Sequence, residues 1–261
     1  MESQIIIDNL LISYLKSGQE GGTGNLLFLH GWRSNKEVWQ AVIKDLACLP
    51  DRQGFRIKDV GFFALDFPGF GKSAMPAKDF TVADYAEIVR RFIEKLELKN
   101  VILVGHSFGG RVGIKLASKY PGTIDKLVLV DSAGFITHQK KKNLISAMAK
   151  FARPFFKPKF MQGLRRKIYR HIGAEDYLAT PQLQKTFVNV VSEDLSADME
   201  KILCPTLIIY GENDAETPPE FGRRMQLKIK NCKLEILPKA GHFSFLDQPE
   251  EFVGQLEKFV L

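Results

Sequence analysis

A chain of 261 residues, 45% hydrophobic and 26% charged, has the composition of a soluble globular protein and is long enough for one large α/β core, with or without an inserted subdomain. Its three cysteines, Cys48, Cys204 and Cys232, lack C-x-x-C spacing, which speaks against a disulfide framework or a zinc site, and no stretch approaches the ~18 apolar residues that cross a bilayer. The run Met1-Glu-Ser-Gln-Ile-Ile-Ile-Asp8 carries an acid and only a short apolar run, unlike a secretory leader, so a reducing, cytoplasmic location is the expectation.

The first predicted element is a hairpin of Gln4–Asp8 and Leu11–Leu15. Gly21-Gly-Thr-Gly24 precedes a strand rather than joining a strand to a helix, so it is no dinucleotide fingerprint. That strand is Asn25–His30, with Gly31 and Trp32 in the loop beyond it. A second strand, Phe62–Asp66, ends in Phe67-Pro-Gly-Phe-Gly-Lys-Ser73. Here Gly71-Lys72-Ser73 matches the end of a phosphate-binding P-loop, but the glycine required five positions earlier is Asp66, whose charge would repel phosphate. Val82–Leu96 sets Tyr85, Ile88, Val89, Phe92, Ile93 and Leu96 at helical spacing with charges opposite, the pattern of an amphipathic helix on one sheet face.

Val101-Ile-Leu-Val-Gly-His-Ser-Phe-Gly-Gly110 is the most informative stretch. Four apolar, β-prone residues lead into G-x-S-x-G, a turn so tight that Ser107 must take strained backbone angles while Gly105 and Gly109 let helix and strand approach. A helix over Phe108–Tyr120 and a strand over Ile124–Asp131 follow. Alternating helices and near-continuously apolar strands imply a mostly parallel sheet covered on both faces.

Between residues 135 and 202 the pattern changes to a helical, basic segment, read as a cap inserted into a core of residues 1–134 and 203–261. From Lys140 to Arg170 the segment holds eleven Lys or Arg and no Asp or Glu, so much of the formal net charge of +7 sits there. Leu144, Met148, Phe151 and Phe155 share one helical stripe. Either that stripe packs on the core beneath a solvated basic face, or the cap touches anionic membrane surfaces or steers acidic substrates. No nucleic-acid reading motif accompanies the basic run.

A serine hydroxyl needs a histidine to take its proton and a carboxylate to hold that histidine in the right tautomer. Leu207-Ile-Ile-Tyr-Gly-Glu-Asn-Asp214 is a strand running into a polar turn, which puts Asp214 just beyond the strand. Leu234-Glu-Ile-Leu-Pro-Lys-Ala-Gly-His242 repeats the arrangement with His242, before Asp247 and Pro249-Glu-Glu251 open a final amphipathic helix. Asp131, also at a strand end, is a rival acid. Glu212 and Glu216 are read as solvated turn carboxylates, and His138 and His171 as exposed in the cap.

The order Ser, Asp, His and the G-x-S-x-G turn resemble the α/β-hydrolase superfamily, and Asp66 to Ser73 is similar to its D-x-P-G-x-G-x-S turn. The resemblance favours Asp214 over Asp131, because Gly211-Glu-Asn-Asp214 is similar to the superfamily's acid turn. It implies an oxyanion hole formed by the backbone N–H groups of Trp32 and Phe108, and structural or loop-shaping roles for His30 and His106. It also implies a serine hydrolase that cleaves a small carboxylic ester through an acyl-enzyme, with no cofactor and no metal.

Two other functions remain open at this level. One is carbon–carbon bond hydrolysis of a dienoate ring-cleavage product, for which Phe243, Phe245 and the cap arginines offer a loose match. The other is a non-catalytic small-molecule binding protein on a hydrolase scaffold. A small-molecule partner is expected, nucleic acid is not, and nothing in the sequence sets an oligomeric state.

Overall fold

A computed structural model describes residues 1–18, 24–49, 59–136, 176 and 179–260. Its centre is an eight-stranded sheet of β1 (Glu2–Ile7), β2 (Leu10–Gly18), β3 (Gly24–Leu29), β4 (Val60–Leu65), β5 (Val101–His106), β6 (Lys126–Val130), β7 (Thr206–Gly211) and β8 (Cys232–Leu237). The strands lie in the order β1-β2-β4-β3-β5-β6-β7-β8. The predicted N-terminal hairpin is present and antiparallel, and β2 also pairs antiparallel with β4. All the remaining pairs are parallel, as the apolar strands imply.

Strand periodicity divides the core into two layers. Leu27, Leu29, Leu103, Leu127 and Leu129 face one side, with α2 (Val82–Lys95) and α3 (Phe108–Lys119) supplying Tyr85, Phe92, Val112 and Leu116. Leu26, Phe28, Ile102, Val104, Val128 and Val130 face the other, against α1 (Gln40–Ala47) and the helix Pro249–Val260. Fully burying each such side chain contributes roughly 1.5–3 kcal/mol before conformational entropy is charged against it. On the second layer Trp39, wholly buried, stacks on Phe245 with ring centroids 4.3 Å apart, which pins the chain just beyond His242 to the core.

Local sequence sets the element ends. Thr81 caps α2 through a reciprocal pair: its hydroxyl accepts from the Asp84 N–H, and the Asp84 carboxylate accepts from the Thr81 N–H at 2.8 Å. The strand expected over Ile124–Asp131 stops at Val130, because Asp131 turns to φ +44° and leaves extended geometry. A separate helical turn, Ser244–Asp247, precedes the last helix, since Pro249 has no N–H and disfavours helical geometry in the residue before it.

Parallel pairing has one consequence for function. β3 through β8 all point the same way, so His30, Asp66, Ser107, Asp131, Asp214 and His242, each at or beyond a strand's carboxyl end, gather along one rim of the sheet.

Candidate active site

The turn at Ser107 is as strained as its sequence requires. Ser107 sits at φ +51°, ψ −107°, between the last residue of β5 and the first of α3. A Cβ on Gly105 would lie 2.6 Å from backbone atoms of Gly109, and one on Gly109 would lie 2.5 Å from the Leu29 carbonyl oxygen. Neither position admits a side chain, so the two glycines allow helix and strand to meet and present the serine at the rim. The Ser107 N–H donates to Val130 O at 2.9 Å, which ties the turn to the neighbouring strand.

His242 faces Ser107 with one ring nitrogen and Asp214 with the other. Nε2 lies 3.1 Å from Ser107 Oγ, and Nδ1 lies 2.9 Å from Asp214 Oδ2. These partners select the tautomer with the proton on Nδ1, leaving Nε2 free to accept from the serine hydroxyl. Burial opposes charge on His242, but the hydrogen bond and charge of Asp214, aided by Glu216 and Asp131, outweigh it and hold the imidazole above its ordinary 6.5. Burial likewise opposes the Asp214 anion, yet His242 and two donors from Thr217 keep that carboxyl below its ordinary value.

Asp131 does not take the place at the imidazole. Its Oδ1 accepts from the Gly211 N–H at 2.8 Å, and its Oδ2 accepts from the Ser244 N–H and hydroxyl at 3.1 and 2.6 Å. His106 and His30 are both buried, and burial pushes them down to about 3 and about 4, so both stay neutral near pH 7. His106 donates from Nε2 to the His242 backbone carbonyl at 2.8 Å, and His30 accepts the Phe67 N–H at 3.1 Å. These are loop-shaping roles, as expected of them. Glu216 is different: though mostly exposed, its carboxylate reaches to 3.5 Å from His242 Nε2, closer than a merely solvated turn residue.

Sequence reading passed over Thr217 and Ser244. Thr217 grips Asp214 at both carboxylate oxygens, and its hydroxyl also lies 2.8 Å from the Asp131 carbonyl and 3.2 Å from His242 Nδ1. A signal existed, because an Asp followed by polar residues two and three positions on is the pattern of a side-chain-capped turn. Ser244 carried no such signal, since its partner Asp131 is 113 residues away.

The two expected oxyanion donors come from elements that touch. Phe108 opens α3, so its N–H is among the first-turn donors that no helical carbonyl takes. The ring of Trp32 packs edge-on to that of Phe108 at 5.3 Å, and a Cβ on neighbouring Gly31 would lie 3.4 Å from Ser107 Cβ. Phe70 and Phe187 close on Trp32 at 4.8 and 5.2 Å, which makes an aromatic wall beside the serine. Phe187 belongs to the helix Gln184–Ser192, which lies within the described residues of the region expected to form a cap. The basic run from Lys140 to Arg170, the stripe Leu144 to Phe155, His138 and His171 lie outside the described residues, as do Gly21 and Gly22. No helix among the described residues is long and apolar enough to cross a membrane, and these residues hold no cluster of three metal-binding side chains.

Comparison with known proteins bears on the fold and the family. The group described as "Alpha/beta hydrolase family" matches residues 26–255. The chain is 27% identical over 272 residues to the pimeloyl-acyl-carrier-protein methyl ester esterase of Nitrosospira multiformis, covering 94% of this chain and 97% of that one. It is 27% identical over 264 residues to the monoacylglycerol lipase ABHD6 of Homo sapiens, covering 91% and 75% respectively. Among solved structures, an esterase from Exiguobacterium antarcticum superposes with a TM-score of 0.74 over 100% of this chain and 99% of its own, at 23% identity, which establishes the shared fold.

Proposed function

The chain belongs to the alpha/beta hydrolase family, and from that premise we propose that it is a serine hydrolase cleaving a small carboxylic ester through an acyl-enzyme, with Ser107, His242 and Asp214 as its catalytic residues. One observation carries this reading: a single imidazole lies within hydrogen-bond reach of the elbow serine on one side and of a buried carboxylate on the other. The resemblance to two proteins named as ester-cleaving enzymes supports the choice of bond.

The chemistry follows from the contacts. Ser107 Oγ attacks the acyl carbon as its proton passes to His242 Nε2, and Asp214 stabilises the imidazolium through Nδ1–H. The carbonyl π electrons move to oxygen, where the N–H groups of Trp32 and Phe108 receive the negative charge, each worth about 2.7–4 kcal/mol in the transition state. Collapse of the intermediate breaks the ester C–O bond, and His242 returns the proton to the departing alcohol. Water, deprotonated by His242, then attacks the acyl-enzyme, releasing the acid and restoring Ser107.

Selection of the acyl group is assigned to the aromatic wall of Trp32, Phe70 and Phe187 and to the cap over residues 135–202. In solution, a fluorophosphonate probe should label wild-type protein but not Ser107→Ala, and a p-nitrophenyl ester series graded by acyl length should be hydrolysed with the same dependence on Ser107. Labelling that survives Ser107→Ala overturns the assignment of the nucleophile. Turnover of a dienoate in place of every ester would move the reaction to carbon–carbon hydrolysis, and neither labelling nor turnover would leave a binding protein.

A further inference from the structure

We infer that Asp131 is a positioning residue for the proposed triad, its buried carboxylate tying the strand end that presents Asp214 to the turn that presents His242. The inference rests on the serine-hydrolase reading above. Asp131 is wholly buried, and each of its two oxygens serves a different loop. Oδ1 holds the N–H of Gly211, the last residue of β7 and three before Asp214. Oδ2 holds both the N–H and the hydroxyl of Ser244, two residues after His242. The backbone of Asp131 adds a third tie, since its carbonyl lies 2.8 Å from the Thr217 hydroxyl that also contacts Asp214.

Thr217 and His242 also join the two loops, but from within them, whereas Asp131 does so from a third element at the end of β6. A carboxylate buried without partners would be costly, whereas this one is met by three donors that would themselves be stranded without it. Its backbone at φ +44° is the geometry that turns the side chain from the end of β6 toward both loops, a conformation a non-glycine residue holds only when its surroundings fix it.

The same placement makes Asp131 an electrostatic neighbour of the site. Groups facing His242 are Asp214, Glu216, Asp131 and neutral His106, and those facing Asp131 are Asp214, Tyr210 and His242. Burial pushes Asp131 up to about 7 against the pull of Ser244 and Gly211, with the Asp214 charge adding to the rise. In its charged form it favours the imidazolium, so neutralising it lowers the pH at which His242 stops acting as a base.

The test compares wild type with Asp131→Asn, which keeps the shape but removes the charge and turns an amide donor on N–H groups. Expected are a fall in kcat of about 10²-fold with KM little changed, and an acid limb of the kcat/KM profile displaced to lower pH. A folded Asp131→Asn protein with wild-type kcat, or with its loss in KM rather than kcat, overturns the inference. Should Asp131→Asn fail to fold, Ser244→Ala decides: it removes one donor and should lower kcat by about tenfold at constant KM, and wild-type kinetics would overturn the inference. Wild-type turnover that depends on Ser107 and His242 beside an indifferent Asp131 rejects this inference alone. A wild type whose hydrolysis survives Ser107→Ala rejects the triad reading and this inference with it.

Discussion

Thr217 holds Asp214 at both ends of its carboxylate: the Thr217 N–H donates to Oδ1 at 3.0 Å and the hydroxyl lies 2.7 Å from Oδ2, the oxygen that also receives His242. An acid gripped in this way cannot rotate away from the imidazole, and it spends no reorganisation when the imidazolium forms. Thr217→Val keeps the shape and the backbone contact but deletes the hydroxyl. The expected result is a folded protein with kcat lower by about tenfold, measured by steady-state ester hydrolysis beside a thermal melt.

Asp214→Asn tests the acid itself. An amide facing Nδ1 favours the wrong tautomer, so Nε2 would carry the proton and could no longer accept one from Ser107. Turnover should fall by roughly 10⁴-fold with little change in melting temperature. A smaller loss than for Asp131→Asn would transfer the role of acid to Asp131.

The pH profile carries a sign that can be worked out. His242 must be neutral to accept the serine proton, so activity is lost as pH falls through the pKa of the free enzyme's imidazole. Because Asp214, Glu216 and Asp131 together outweigh burial, that pKa is raised, and the acid limb of kcat/KM should centre above 6.5. Glu216→Gln removes one of the raising charges and should move the limb to lower pH, less so at high salt, since Glu216 is largely exposed. A limb centred well below 6.5 would contradict the geometry around His242.

Gly109→Ala tests the elbow. The added Cβ would meet the Leu29 carbonyl at 2.5 Å, a backbone atom of a central strand that cannot step aside. Destabilisation of about 1–3 kcal/mol is expected from overpacking, read as a lower midpoint of urea unfolding. Fluorophosphonate labelling of the folded fraction should slow as well, because α3 and the Phe108 N–H would shift from Ser107.

Much of this molecule was legible in one dimension because its signals are local. The hairpin, the apolar strands and the amphipathic stripe expected over Val82–Leu96, observed as the helix Val82–Lys95, follow from residue periodicity, which neighbouring side chains enforce without reference to the rest of the chain. The elbow was legible for the same reason, since only glycine tolerates the approach at residues 105 and 109. Asp214 was set against Asp131 on turn resemblance alone.

What the sequence determined by itself was therefore the kind of sheet and the residue types waiting at its strand ends. The tertiary structure decided which of them meet. Parallel pairing of β5, β7 and β8 with their neighbours brings Ser107, Asp214 and His242 to one rim across separations of 135 and 28 residues. It also sends the carboxylate of Asp131 to Gly211 and Ser244 and brings His106 to the His242 carbonyl. Such contacts depend on strand order and loop path, which are set by how two apolar layers close on the whole sheet. No short window of sequence contains that information.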